Sequence, residues 1–225
     1  MRYDNRVENV SIPERYNDFI ERRMADGWVV FMHHDLDFDA DPWPRIRELP
    51  TDAIYGVCGS RLERGFRYVF VGYNRVEGFR FATGHRYHQR VLGRIKCPKE
   101  LAASGYAGES IVDTAVVSTV DCCCLIVHAS LVRRCRLRFD PAFAWHFYSE
   151  DFSLSARRAH GIETRVVQLD CGHYGRGSVD EEFSRTRDRL VEKHRDLQFA
   201  STCYLPARAE RVERLITSRG LLLQY

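Results

Sequence analysis

No stretch of this chain is apolar for long enough to cross a membrane, and Met1-Arg2-Tyr3-Asp4-Asn5 lacks the apolar core of a signal peptide. A cytoplasmic location is the expectation that follows. An excess of one charge is missing too. The 34 Lys+Arg and 31 Asp+Glu leave a formal +3, too little to demand a nucleic acid or a membrane surface as partner. Glycine is thin where a phosphate loop would need it: Gly56 and Gly59 are too sparse for that fingerprint and suit close backbone packing. The eight cysteines lack framework spacing. Three are consecutive, Cys122-Cys123-Cys124, and strand neighbours point to opposite faces, so the triplet fits neither an ordinary disulfide framework nor a single zinc clamp. Buried reduced thiols are expected. There is no internal repeat.

What is present argues for a folded domain. Hydrophobic residues at 44% and aromatics at 12% exclude a disordered chain, and 225 residues suit one domain, or one with an appendage. The basic residues are mostly Arg, whose fork suits phosphate oxygens, which permits a nucleotide ligand.

The apolar run Trp28-Val29-Val30-Phe31-Met32 stops abruptly at His33-His34-Asp35-Leu36-Asp37. Such a run reads as a buried strand whose carboxyl end opens into a polar crevice, the edge at which open α/β sheets bind ligands. Asp35 and Asp37 offer hard oxygen donors suited to Mg²⁺ or Mn²⁺ carrying a phosphorylated ligand. A solvated turn with an Asp cap is the plainer alternative.

Around this strand the chain alternates. Ser11-Ile12-Pro13-Glu14 has the form of a capping box with Pro in the first turn, and Tyr16, Phe19, Ile20 and Met24 give the helix one apolar face, with Gly27 as its stop. Prolines 42, 44 and 50 confine residues 43–49 to a short helix, and residues 53–60 read as a second buried strand. Periodicity dissolves over residues 60–112, which read as a flexible aromatic-basic flap or a plain surface loop. Residues 116–127 are the most apolar stretch, interrupted by Asp121, an acid that must be paired or turned into a polar site. Further on, Ser149 can cap a helix carrying Phe152, Ala156 and Ala159 inward, with Gly161 as its stop. Glu150 and Asp151 fall in its first turn, where the dipole favours ionised carboxylates. Acids there are also ordinary stabilising features. Residues 164–169 read as a last strand, ending in Asp170-Cys171-Gly172-His173-Tyr174-Gly175-Arg176, where a His can approach a metal or phosphate and Arg176 an anion. Charged helical patterns over 180–197 and 207–223 suggest a C-terminal helical appendage that packs on the domain or serves a partner chain or a second copy.

Taken in order, Trp28 to Asp35, Gly56-Val57-Cys58-Gly59-Ser60, Asp121-Cys122-Cys123, His146-Phe147-Tyr148-Ser149-Glu150-Asp151-Phe152 and Gly172-His173 resemble the glycosyltransferase-like proteins of family 2, in the branch whose metal strand ends in His-x-Asp. The resemblance covers residues 9–178. It implies an α/β GT-A-like fold, Rossmann-related, with a mixed, mostly parallel sheet flanked by helices. It also implies an N-terminally shortened chain without the first strand-helix-strand portion, residues 1–178 as the domain and 179–225 as an extension. It further implies a Mn²⁺ or Mg²⁺ ion held by Asp35, with His33 or Asp37 completing the signature and His173 binding metal or diphosphate. Asp151 is implied as the general base for an acceptor hydroxyl, with Glu150, Trp145 and His146 shaping the acceptor site. Asn17 would lie near the donor, with Asp121 and Arg176 among the substrate-binding residues. The implied donor is a nucleotide-diphosphate sugar, a UDP-sugar foremost, and the acceptor a glycan or other hydroxyl, with inversion at the anomeric carbon. A non-catalytic GT-A-like binding or scaffold protein is the alternative, and a nucleic-acid-binding module has little behind it.

Overall fold

The computed structural model describes residues 8–74, 78–100, 102–175 and 180–203. In chain order its elements are α1 (Ile12–Arg22), β1 (Trp28–Met32), β2 (Leu36–Phe38), α2 (Trp43–Arg47), β3 (Ile54–Gly56), β4 (Gly59–Asn74), β5 (Gly78–Leu92), β6 (Ile95–Lys96), β7 (Tyr106–Ala107), β8 (Thr114–Val117) and β9 (Thr119–Val120). There follow β10 (Cys124–His128), α3 (Ala129–Arg134), α4 (Tyr148–His160), β11 (Thr164–Val167), β12 (Cys171–His173) and α5 (Glu181–Lys193).

The first helix forms as its residues dictate. Glu14 N–H donates to Ser11 Oγ at 3.4 Å, and the Glu14 carboxylate accepts from Ser11 N–H at 3.2 Å and from the Ser11 hydroxyl at 2.6 Å. Its end differs from expectation. The helix stops at Arg22, and Gly27, at φ +112°, instead turns the chain into β1.

The central sheet has the order β1-β10-β3-β11-β8. The pairs β1–β10, β10–β3 and β11–β8 are antiparallel and β3–β11 is parallel, so the sheet is mixed rather than mostly parallel as expected. The reason is visible in β10. Leu125 and Val127 enter one apolar cluster with Ile20, Leu131, Phe152 and Leu190, whereas Cys124 and Ile126 enter a second with Leu36, Ile46 and Ile95. A strand buried on both faces reads as a continuous apolar run, which carries no information about direction. Even so, β1, β3 and β11 point the same way, because β10 runs antiparallel between β1 and β3. Their carboxyl ends and the amino end of β10 share one edge, with Met32 opposite Cys124.

Helices α1, α3, α4 and α5 cover one face of this sheet. The other is covered by α2 and by a smaller sheet of order β2-β12-β6-β7. Residues 59–92, expected as part of an aperiodic flap, form a long two-stranded ribbon. Its register runs from Gly59↔Leu92 to Asn74↔Gly78, with an irregularity between Phe70 and Gly72, and its base pairs with β9 through Gly59 and Ser60. The segment expected as an appendage contributes Phe183, Leu190 and Phe199 to the main core. Residues 204–225, with the helix expected over 207–223, lie outside the described residues. Among those described, no helix is long and apolar enough to cross a membrane. All eight cysteines are free thiols, with Cys58, Cys123, Cys124 and Cys171 buried.

Candidate metal centre

The exit of β1 is fixed before any functional group is placed. His33 N–H donates to Cys123 O at 3.0 Å, extending the β1–β10 ladder by one residue, and the chain then turns back so that β2 pairs antiparallel with β12. In that register His173 stands opposite Leu36, and Tyr174 N–H donates to Asp35 O at 3.1 Å. Gly175 closes the turn so tightly that a Cβ there would meet Asp35 Oδ2 at 2.0 Å and His173 Nε2 at 3.4 Å. A Cβ there would have to push the Asp35 carboxylate out of its present position.

These constraints bring His33, Asp35 and His173 together, with one donor atom from each lying within 4.8 Å of the others. His33 Nδ1 is 3.4 Å from His173 Nε2, and His173 Nε2 is 3.3 Å from Asp35 Oδ1. Asp35 Oδ1 is buried and has no hydrogen-bond partner. Atoms held about 2.1 Å from a common cation stand about 3.0 Å apart at octahedral right angles and about 3.4 Å apart at tetrahedral ones. The spacing and the orphaned oxygen therefore fit a divalent cation.

The ring of His33 is held from behind. Its Nε2 lies 2.7 Å from Tyr148 Oη, and Tyr148 Oη donates to Cys122 O at 3.3 Å. Burial, with the Cys122 thiol beside it, pushes the Tyr148 phenol well above its ordinary value, so it remains a hydroxyl that spends its proton on Cys122 O. With its proton there, the same oxygen can accept N–H from His33 Nε2, the tautomer that leaves the Nδ1 lone pair turned toward His173. Burial lowers the pKa of His33, with His173 and His34 adding to the fall against Asp121 and Asp35. A neutral imidazole is the form that binds a metal.

Three acids lie behind this layer, each with its own surroundings. Glu150, 1% exposed, accepts from Cys122 Sγ at 3.2 Å and from Ser201 Oγ at 3.0 Å. Burial first, and the charge of Asp121 second, raise its carboxyl from 4.5 to about 7. Asp121 accepts from Cys123 N–H at 2.9 Å and from Thr202 Oγ1 at 2.5 Å, which is how the acid inside the apolar run is satisfied. Asp151, also 1% exposed, is bonded by His194 Nε2 at 2.8 Å and by Lys193 Nζ at 2.7 Å, and Lys193 also reaches Asp140 at 2.8 Å. Burial works against the Lys193 cation, but its bonds to Asp140 and Asp151 outweigh it and raise its pKa.

The remaining expected site residues are placed elsewhere. Asp37 is exposed on the outer face of the small sheet, opposite Gly172, and outside the three-residue group. Both ends of the Asn17 amide are used on the Phe139 backbone, at 2.8 and 3.0 Å. His146 packs on the Phe183 ring and lies 3.8 Å from Asp180, the N-cap of α5, while Trp145 is 40% exposed. Arg176 lies outside the described residues. Ser149 is not the cap of α4. Phe147 takes that position at φ 60°, the helix starts at Tyr148, and Ser149 Oγ is buried without a partner. Ala159 is exposed rather than inward.

Sequence reasoning passed over Tyr148, Cys122, Gly175, Lys193, His194, Ser201 and Thr202. Of these, Tyr148 carried a signal: a phenol beside two acids, preceded by aromatics, has to place its hydroxyl somewhere once buried. Compared with known proteins, the chain matches no family model and no curated protein.

Proposed function

We propose that the chain is a metal-dependent glycosyltransferase that moves a sugar from a nucleotide-diphosphate donor to an acceptor hydroxyl. The observation that carries this reading is the convergence of His33, Asp35 and His173 at the carboxyl edge of the central sheet, with Asp35 Oδ1 buried and unbonded. Those three side chains would hold the cation, and a cation there would supply neutralising charge for the leaving diphosphate. Two imidazoles and one carboxylate form a nitrogen-rich set, which favours Mn²⁺ over Mg²⁺.

The residues of the chain do the rest. Tyr148 fixes the ring of His33, and the turn at Gly175 holds Asp35 against His173. The resemblance places the base on Asp151, but both of its oxygens are taken by Lys193 and His194. Glu150 is linked to the metal side through Cys122 and Tyr148, and with a pKa of about 7 it suits proton transfer at neutral pH. We therefore place the proton of the incoming hydroxyl on Glu150, with Asp151 anchoring the end of α5.

The burial of Glu150 and Asp151 favours a second reading, a non-catalytic binding protein that keeps the same metal centre. Donor hydrolysis and sugar transfer, measured with Mn²⁺ over a panel of nucleotide sugars, separate the two. Transfer that falls at least about a hundredfold in Asp35→Ala and in Glu150→Gln, and less in Asp151→Asn, supports the enzyme. Donor binding by calorimetry without turnover supports the alternative. Turnover indifferent to Asp35→Ala overturns the assignment of the centre.

A further inference from the structure

The acids behind the metal centre are satisfied by hydroxyls from the chain itself. Ser201 Oγ donates to Glu150 Oε1 at 3.0 Å, and the next residue donates Thr202 Oγ1–H to Asp121 Oδ2 at 2.5 Å. The segment carrying them is laid down by two anchors: Thr119 Oγ1 donates to Ala200 O at 2.7 Å, and the Gln89 side-chain amide donates to Ser201 O. Phe199, Ala200 and Ser201 are buried, Thr202 is half-buried and Cys203 is exposed, so the cover reaches the surface within two residues of Glu150's partner. Its contact with the acids is made by two hydroxyls from adjacent residues.

Two carboxylates accepting from two neighbouring hydroxyls form the pattern that a saccharide's vicinal hydroxyls would complete. Glu150 and Asp121 are both acceptors when ionised, and an occupant of this space must bring donors to both.

We infer that residues 201–203, leaving the core after the anchored Ala200, are a strap seated in the acceptor subsite, with Ser201 and Thr202 standing in for two adjacent hydroxyls of a saccharide, and that an acceptor binds by displacing them. This rests on the transferase reading and deepens it, since it names a polyhydroxyl ligand for the acids and makes the resting chain self-blocked. A tethered occupant competes at high effective concentration, so free saccharide binds more weakly by the fraction of molecules in which the strap is open.

The test uses the full chain in the presence of a chelator, which removes the metal centre from the readout. Maltose, lactose and cellobiose are titrated against wild type, Ser201→Ala/Thr202→Val, and the hydroxyl-retaining control Ser201→Thr/Thr202→Ser. At least one sugar should bind the hydroxyl-free variant about tenfold more tightly than wild type, with the control close to wild type. In the wild-type protein the same sugar should speed amide exchange at residues 201–203 while leaving α4 and β11 unchanged. This second arm decides the matter if the variant fails to fold. Equal affinity in all three proteins, a control that behaves like the hydroxyl-free variant, or a strap peptide indifferent to all three sugars overturns the proposal. Asp35→Ala keeps both responses. Strap behaviour that persists in a protein without transferase activity would therefore refute the catalytic reading alone.

Discussion

A single oxygen, Asp35 Oδ1, concentrates the energetics at residue scale. A buried acceptor without a donor costs about 1–3 kcal/mol, and a cation shared with His33 Nδ1 and His173 Nε2 would turn that cost into binding. Removing a ligand by Asp35→Ala or His173→Ala should lower Mn²⁺ affinity by more than about a hundredfold in calorimetry. Tyr148→Phe, which releases the ring of His33, should cost about ten- to a hundredfold. Glu150 gives the pH signature. Its folded pKa of about 7 lies above the unfolded 4.5, so the folded state holds the proton more tightly. The stability this contributes is fully present below about pH 4.5 and is lost as pH rises through about 7, a step of about 3 kcal/mol. The melting temperature should fall across that window, and Glu150→Gln should flatten the fall.

At the scale of elements, the parts legible in the sequence are those with local physical signatures. The capping box at Ser11, the strand Trp28–Met32, the short helix among prolines and the Gly161 stop at φ +68° all stand where their residues place them. Ser11→Ala should therefore cost about 1 kcal/mol in urea denaturation. Strand direction was not legible, because β10 is buried on both faces. The ribbon of β4 and β5 was missed for a different reason: Phe66, Tyr68 and Phe70, then Phe79 and Phe81, alternate with period two, but the Gly and Arg residues between them hide the pattern. The cap of α4 was misread since Ser149 looks like a cap by type, while the αL residue that starts the helix is Phe147. At the site, His33, Asp35 and His173 were readable as residue types at strand ends. Their closure by Gly175 was not, because that glycine answers to a carboxylate brought in from the distant turn between β1 and β2. Gly175→Ala, which displaces the Asp35 carboxylate, should weaken metal binding while the fold, followed by circular dichroism, persists.

Across the whole molecule, residues 180–203 are built into the domain. Lys193 and His194 hydrogen-bond to Asp151, and Phe183, Leu190 and Phe199 extend the core that α4 rests on. Lys193→Met removes one of the two partners of a buried carboxylate and should destabilise the protein by about 1–3 kcal/mol in urea, more than its partial exposure alone would suggest. The proposed metal ligands also span the chain, with His33 and His173 separated by 140 positions. An ion held between them would act as a reversible cross-link, drawing distant stretches of polypeptide into one closed loop. Saturating Mn²⁺ at about a hundred times Kd should then add about 2.7 kcal/mol, or roughly 5–10 °C of melting temperature. Chelation would release that clasp and let the two ends of the domain loosen together.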